Sequence, residues 1–366
     1  TAVSSSAFTI SAGGTFTGRV IHGVTSAGLA GATVVVRDAT QSFTATTSAG
    51  GDWTVTGVSA GTFTVDASKT GFVSSSIAGQ VMTLPSTVVE NIPLVPAATP
   101  GGIFGSIRNA TTAALVTTST LVEARSGMNV TTGTVVASQQ TSTGTYALAN
   151  LPSGVYTLVA RNPAYSDGSG TGVVVGGGPA STGPDLVLNP LAGGTAARAV
   201  LSWGSTPRDL DTHLSGPVAG SASRFWVYYQ RRGSCSASPF ACLDVDDTDG
   251  NGPETVSISQ VTPGVYRYYV YDFTNRSTPT STALGVSGAK VDFYVGSTLV
   301  RRFFVPPGTG NAWAVFEWNG QTLTVLNQLY TVSGVPQPAR VVSAGAPMTA
   351  ADEVRQLSRQ PGKPRY

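Results

Sequence analysis

Charge is scarce in this chain of 366 residues, of which 11% are Asp, Glu, Lys or Arg, against roughly 25% in an average soluble domain. Only Lys69, Lys290 and Lys363 are lysines, and the acids nearly cancel the basic residues to leave a formal charge of +2. That balance implies no polyanion partner, and no aromatic residue interleaves a basic run, so nucleic-acid binding is excluded as a function class. Histidine is rarer still: His22 and His213 are the whole complement. A Ser-His-Asp unit needs a histidine within reach of both partners, and no Gly-x-Ser-x-Gly elbow occurs, so the chain reads as a non-enzyme. No run approaches the roughly 18 uncharged apolar residues of a spanning helix, and no basic start leads into an apolar region at Thr1. The expectation is a chain with no membrane span and its export signal already removed, secreted or displayed at a cell surface.

Cysteine is confined to Cys235 and Cys242, in the stretch Cys-Ser-Ala-Ser-Pro-Phe-Ala-Cys. With no further Cys or His at zinc-like spacing, an exported chain favours a small disulfide there over a metal site. Helical periodicity is almost absent before residue 345. Short alternating runs of Val, Thr, Ile, Phe and Tyr recur instead between Gly, Pro, Ser and Asn clusters, so the body is all-β.

The first unit, residues 15–98, reads as strands at Thr15–Ile21, Thr33–Arg37, Phe43–Thr46, Asp52–Val58, Gly61–Ala67 and Val88–Val95. The same order returns in residues 99–191. Thr143-Gly-Thr-Tyr-Ala-Leu-Ala-Asn-Leu-Pro-Ser-Gly-Val-Tyr-Thr-Leu matches Ala49-Gly-Gly-Asp-Trp-Thr-Val-Thr-Gly-Val-Ser-Ala-Gly-Thr-Phe-Thr-Val, and proline ends both blocks at Pro93/Pro96 and Pro190. These residues resemble the carboxypeptidase regulatory-like family in three steps: an opening Gly-x-Val/Ile strand, then Gly31-Ala-Thr-Val-Val-Val, then Gly-x-(Trp/Tyr) running into Gly-x-(Phe/Tyr). The second copy has Thr118-Ser-Thr-Leu-Val-Glu at the middle step. The resemblance implies two tandem transthyretin-type sandwiches used as spacers, with no catalytic residues.

Residues 192–330 predict a third, longer sandwich, with strands at Ala197–Trp203, Ser223–Gln230, Glu254–Ile258, Gly264–Asp272, Ala289–Val295, Thr298–Pro306, Ala312–Glu317 and Gln321–Val325. Arg208-Asp-Leu-Asp-Thr-His, Phe225-Trp-Val-Tyr-Tyr, Leu243-Asp-Val-Asp-Asp and Gly252-Pro-Glu-Thr resemble a widespread domain of bacterial surface proteins. The expected fold is three tandem β-sandwiches with an N-terminal extension, residues 1–14, and a C-terminal tail, residues 331–366. That tail carries a short helix beginning at Thr349.

The one dense polar constellation is acidic: Asp209 and Asp211 in one loop, then Asp244, Asp246, Asp247, Asp249 and Glu254 in another. Carboxylates so crowded repel one another, and calcium with its oxygen shell is the usual answer, while pairing with Arg208, Arg224, Arg231 and Arg232 is the alternative. Eleven aromatic residues of the third unit, from Trp203 to Trp318, offer either a sugar-stacking platform or core packing; alternation turns about half of them inward. Lys69 and Asn91 bracket the end of the first unit without a placed acid for an internal isopeptide.

Two function classes follow. In the first, the chain is a structural subunit of an extracellular fibre or layer, a homopolymer joined by strand or tail exchange, with Phe8 and Ile10 alternating as a donor strand would. In the second it is an adhesin whose third unit binds a glycan or protein receptor and whose first two units form the stalk.

Overall fold

The computed structural model describes residues 13–332 apart from 192, 193 and 222. The N-terminal segment with Phe8 and Ile10, and the helix expected from Thr349, lie outside the described residues. The fold is all-β, and among the described residues the one helical element is a single 3-10 turn at Leu284–Val286. No helix among the described residues is long and apolar enough to cross a membrane.

The first sandwich contains β1 (Gly14–His22), β2 (Thr33–Arg37), β3 (Ser42–Thr46), β4 (Asp52–Val58), β5 (Gly61–Ser68), β6 (Phe72–Val73), β7 (Ser75–Met82), β8 (Thr87–Val89) and β9 (Ile92–Pro96). One sheet runs β4-β1-β9-β6, with β8 also on β1; the facing sheet runs β3-β2-β5-β7. Alternation sets the core: Phe16 and Val20 from β1, Val34 and Val36 from β2, and Phe63, Val65 and Ala67 from β5 point inward and are buried. The continuous strand expected at Val88–Val95 is broken into β8 and β9. Both pair in parallel with β1, but Glu90 and Asn91 step aside between them, and a Cβ at Gly18 would lie 1.9 Å from the Glu90 carbonyl oxygen. β6 and β7 were not legible, because Ser75-Ser-Ile-Ala-Gly-Gln-Val-Met turns few apolar residues to the core.

The second sandwich repeats the first strand for strand: β10 (Gly101–Asn109), β11 (Thr120–Ser126), β12 (Ala137–Thr141), β13 (Thr145–Leu151), β14 (Gly154–Arg161), β15 (Tyr165–Ser166), β16 (Gly168–Val175), β17 (Ser181–Thr182) and β18 (Leu186–Pro190). Its sheets run β13-β10-β18-β15 and β12-β11-β14-β16, with β17 on β10, which is the order of the first unit with every strand shifted by nine. The correspondence reaches backbone conformation. Gly57 and Asn150 fall at the same place in β4 and β13, both with positive φ, 76° and 55°, beside a register shift against the partner strand. Glycine and asparagine are the residues that tolerate this region.

The third sandwich contains β19 (Ala197–Ser202), β20 (Leu210–Pro217), β21 (Arg224–Val227), β22 (Gly233–Ser234), β23 (Ala241–Val245), β24 (Glu254–Ile258), β25 (Tyr266–Asp272), β26 (Lys290–Val295), β27 (Thr298–Phe304), β28 (Ala312–Trp318) and β29 (Leu323–Tyr330). A six-stranded sheet, β22-β23-β24-β19-β26-β27, faces a five-stranded one, β21-β20-β25-β28-β29. Trp203, Phe225, Tyr266, Tyr268, Trp313 and Trp318 fill the space between them. The reverse face of the five-stranded sheet carries a second cluster built on Tyr269, Tyr271 and Phe273.

Candidate functional site

The acidic residues separate once they are folded. Asp211 is not in a loop but on β20, and Glu254 opens β24; each is 1% exposed. The sequence Asp-Leu-Asp-Thr-His-Leu-Ser-Gly looked loop-like because its inward positions alternate with polar groups that are buried as well. Of the seven residues singled out, Asp211, Asp246 and Glu254 converge, each offering a carboxylate oxygen within 4.8 Å of the others. They come from both sheets, and Glu254 Oε2 accepts the Thr212 N–H across the gap at 2.5 Å. Arg232 lies 3.6 Å from Asp246.

The remaining four go elsewhere. Asp244 Oδ2 accepts the Ser257 hydroxyl at 2.5 Å on the outer face of the six-stranded sheet, and burial raises its carboxyl above the usual range. Asp247 Oδ1 accepts the Asp249 and Gly250 N–H groups at 3.2 and 3.0 Å, while burial pushes it up to about 6. Asp249 is exposed. Asp209 is tied through its backbone to Thr274, whose hydroxyl accepts the Asp209 N–H at 2.8 Å. Calcium's donor set of carboxylate oxygens therefore narrows to three residues at the seam between the sheets.

Cys235 and Cys242 form a disulfide with Cα atoms 5.2 Å apart, closing the loop between β22 and β23. His213 sits mid-strand on β20, where its Nδ1 accepts the Trp226 indole N–H at 3.0 Å and its ring stacks on Tyr228. His22 Nδ1 accepts the Val24 N–H at 3.2 Å, and its ring meets Phe72 edge to face. Lys69 donates to the Ala30 carbonyl at 2.7 Å and Asn91 accepts the Arg19 N–H at 3.0 Å, so the two do not meet. Of the aromatic residues proposed as a platform, Trp203, Phe225, Tyr228, Tyr266, Tyr268, Tyr269, Tyr271, Trp313 and Trp318 are buried, leaving only Trp226 and Tyr229 part-exposed.

What the sequence did not disclose is how successive sandwiches join. Between the first and second, Met128 pairs with the edge of β7: its N–H donates to the Ser76 carbonyl at 2.7 Å and its carbonyl accepts the Ala78 N–H at 3.0 Å. Gly127, at φ 99°, permits the approach, since a Cβ there would stand 3.0 Å from the Ser76 oxygen. The Met128 side chain packs on the first core.

The second joint is larger. Ala110 and Val187 of the second sandwich pack with Val200 and Tyr294 of the third. The Thr255 hydroxyl donates to the Ala110 carbonyl at 2.6 Å, Ser166 to the Ser297 carbonyl at 2.7 Å, and Arg198 to Asn189 Oδ1. Arg302 donates to Ser169 Oγ at 2.5 Å and also grips Asp292 through two nitrogens at 2.6 and 2.8 Å. Lys290 reaches the same carboxylate at 3.2 Å. Burial works to raise the Asp292 carboxyl, but the two cations outweigh it and hold it down at about 2. Burial pulls the Lys290 ammonium down, opposed by Asp292. Lys290, Asp292 and Tyr294 alternate along β26 with Val291 and Phe293, a pattern that a sequence reading assigns to a solvent face. The neighbouring sandwich covers that face instead.

The family model described as the carboxypeptidase regulatory-like domain matches residues 15–95, the first sandwich. The second sandwich repeats its topology. No curated protein matches the chain. Among solved structures, the Bacillus anthracis TIE protein is similar at 13% identity over 70% of this chain and 45% of that one, with a TM-score of 0.20. This chain thus spans less than half the length of that protein. The shaft pilin SpaA of Lactobacillus rhamnosus GG is similar at 14% identity over 50% of this chain and 99% of its own, TM-score 0.19. The minor pilin of Streptococcus agalactiae gives 12% identity over 49% and 97%, TM-score 0.21. None of these likenesses carries the functional reading that follows.

Proposed function

We propose that the chain is a structural subunit of an extracellular fibre or surface layer, divided into units at residues 15–98, 99–191 and 192–330 and polymerising through exchange of a terminal segment. One observation carries the reading: successive sandwiches are joined by specific contacts, a half-buried backbone pairing at Met128 and a network at Arg302, Asp292 and Arg198 in which Asp292 and Arg198 are buried. A flexible tether between independently acting domains has no use for buried charge, whereas a subunit that must hold its neighbours in fixed relation does. Deleting residues 1–12 is expected to leave the melting transition in place while removing all filaments from electron micrographs. Filaments of unchanged abundance in the deletion would refute the donor role of that segment.

Calcium at Asp211, Asp246 and Glu254 would act as a clamp between the two sheets of the third sandwich, relieving the repulsion of carboxylates within 4.8 Å. At free calcium about 100-fold above its dissociation constant, one site adds about 2.7 kcal/mol. A scanning calorimetry trace should accordingly show the third unit's transition several degrees higher in calcium than in chelator. Asp211→Asn should abolish the difference, and coincident traces in the unaltered protein would remove the ion from the account.

A further inference from the structure

Extended chains pair where a sheet offers an unblocked edge, and proteins ordinarily blunt such edges with short strands, charges, bulges or covering loops. The chain already uses edge pairing internally, since Met128 closes β7. In the third sandwich three of the four edges are blunted. β22 has two residues and abuts the disulfide loop, β21 has four and begins at Arg224, and β27 carries the charges of Arg301 and Arg302.

β29 is different. It has eight residues, Leu-Thr-Val-Leu-Asn-Gln-Leu-Tyr, with neither charge nor proline; like β27 it slips register once, at Asn327 with φ 46°, and among the described residues only β28 pairs with it. Both hydrophobic layers run out to it: Leu323 and Leu329 pack against the core between the sheets, Leu326 and Tyr330 against the aromatic cluster on the reverse face. Val325 is left 39% exposed. A strand added here would gain a ladder of main-chain hydrogen bonds and extend two apolar layers at once.

We infer that the outer edge of β29 accepts residues 1–12 of a neighbouring copy, which rests on the fibre reading above and names its acceptor. Thr1–Ala12 has no charge and no proline, and twelve residues exceed the eight needed to cover the strand, about 26 Å at the strand rise. Phe8 and Ile10 recur at the spacing that turns both to one face of a sheet. The donor is attached to β1, the first strand of the first sandwich, and the acceptor is the last strand of the third. The contact therefore joins unlike surfaces, which propagates from copy to copy unless its rotation happens to close a ring. Pairing β29 with β29 would stop at a dimer.

The test uses the chain lacking residues 1–12 and a fluorescein-labelled peptide of that sequence, followed by anisotropy. Saturable binding is expected, weakened at least tenfold by Val325→Lys, whose exposed position leaves the melting temperature unchanged, and weakened similarly by Phe8→Asp in the peptide. Peptide that fails to bind, or binds the Val325→Lys protein equally, overturns the assignment. So does dimerisation of the truncated chain that Val325→Lys abolishes, which would make the edge a self-pairing surface. Full-length filaments that persist in Val325→Lys would overturn this acceptor while leaving the fibre reading standing, and a full-length chain that never forms filaments would sink that reading itself.

Discussion

Asp292→Asn is expected to destabilise the third sandwich by about 3–5 kcal/mol, the cost of leaving buried cations without their counter-charge. Three features make this carboxylate the sensitive point. It is buried, it receives two Arg302 nitrogens and the Lys290 ammonium, and among the described residues no other acid lies within pairing distance of either cation. The sign of the pH dependence follows from its depressed pKa. The stabilisation is complete above the unfolded carboxylate value near 4 and is lost as pH falls through the folded value of about 2. Denaturant titrations of the wild-type and variant chains at pH 7 and pH 2.5 check both statements. The variant should show a lowered midpoint at pH 7 with much of the difference gone at pH 2.5; equal midpoints at pH 7 would refute the account. Lys290→Met with Asp292→Leu and Arg302→Met should recover much of the loss, because a well-packed apolar replacement avoids desolvation altogether.

The second large effect concerns cooperation between sandwiches. Val200 faces away from the third core and packs on Ala110, Val187 and Tyr294 at the joint. Val200→Asp would bury a second carboxylate directly across from Asp292, whose cations Arg302 and Lys290 are already engaged, costing several kcal/mol, and the chain can escape that cost by parting the two sandwiches. Each would keep its own core. Calorimetry of the wild type is expected to show the second and third sandwiches melting in one transition, and the variant to show two, with a larger radius of gyration in solution scattering. A single unshifted transition in the variant would mean that the joint does not couple them. Thermodynamic coupling of this kind is what separates a mechanically continuous subunit from beads on a tether.

Much of the fold was legible because period-two alternation is a strong signal when one face of a strand meets a core. β2 and β4 fall at the bounds their alternation gives, as does β24. The failures have physical causes. β20 was missed because Asp211, His213 and Ser215 alternate with Leu210, Thr212 and Leu214, and all six are buried. A strand covered on both sides erases the contrast that identifies strands. The joint was missed for the complementary reason: Arg198, Lys290 and Asp292 occupy outward positions, and hydropathy does not distinguish water from another domain as the thing they face. The metal candidates narrowed from seven to three because spacing along a loop says nothing of which side of a sheet each carboxylate leaves by. Asp244, on the strand β23, turns to the outer face while Asp246, just beyond its end, turns to the seam.

The charges that this sparse composition does contain bear on the conditions in which the folded chain persists. Mobile ions screen exposed groups over about 8–10 Å of water but penetrate poorly to pairs that are shielded by protein on all sides. With Asp292 and Lys290 buried and Arg302 part-buried against them, this group of charges would differ little between brine and fresh water. Strong acid, by contrast, reaches the enclosed carboxylate through its proton, so acidity rather than salinity sets the boundary of its endurance.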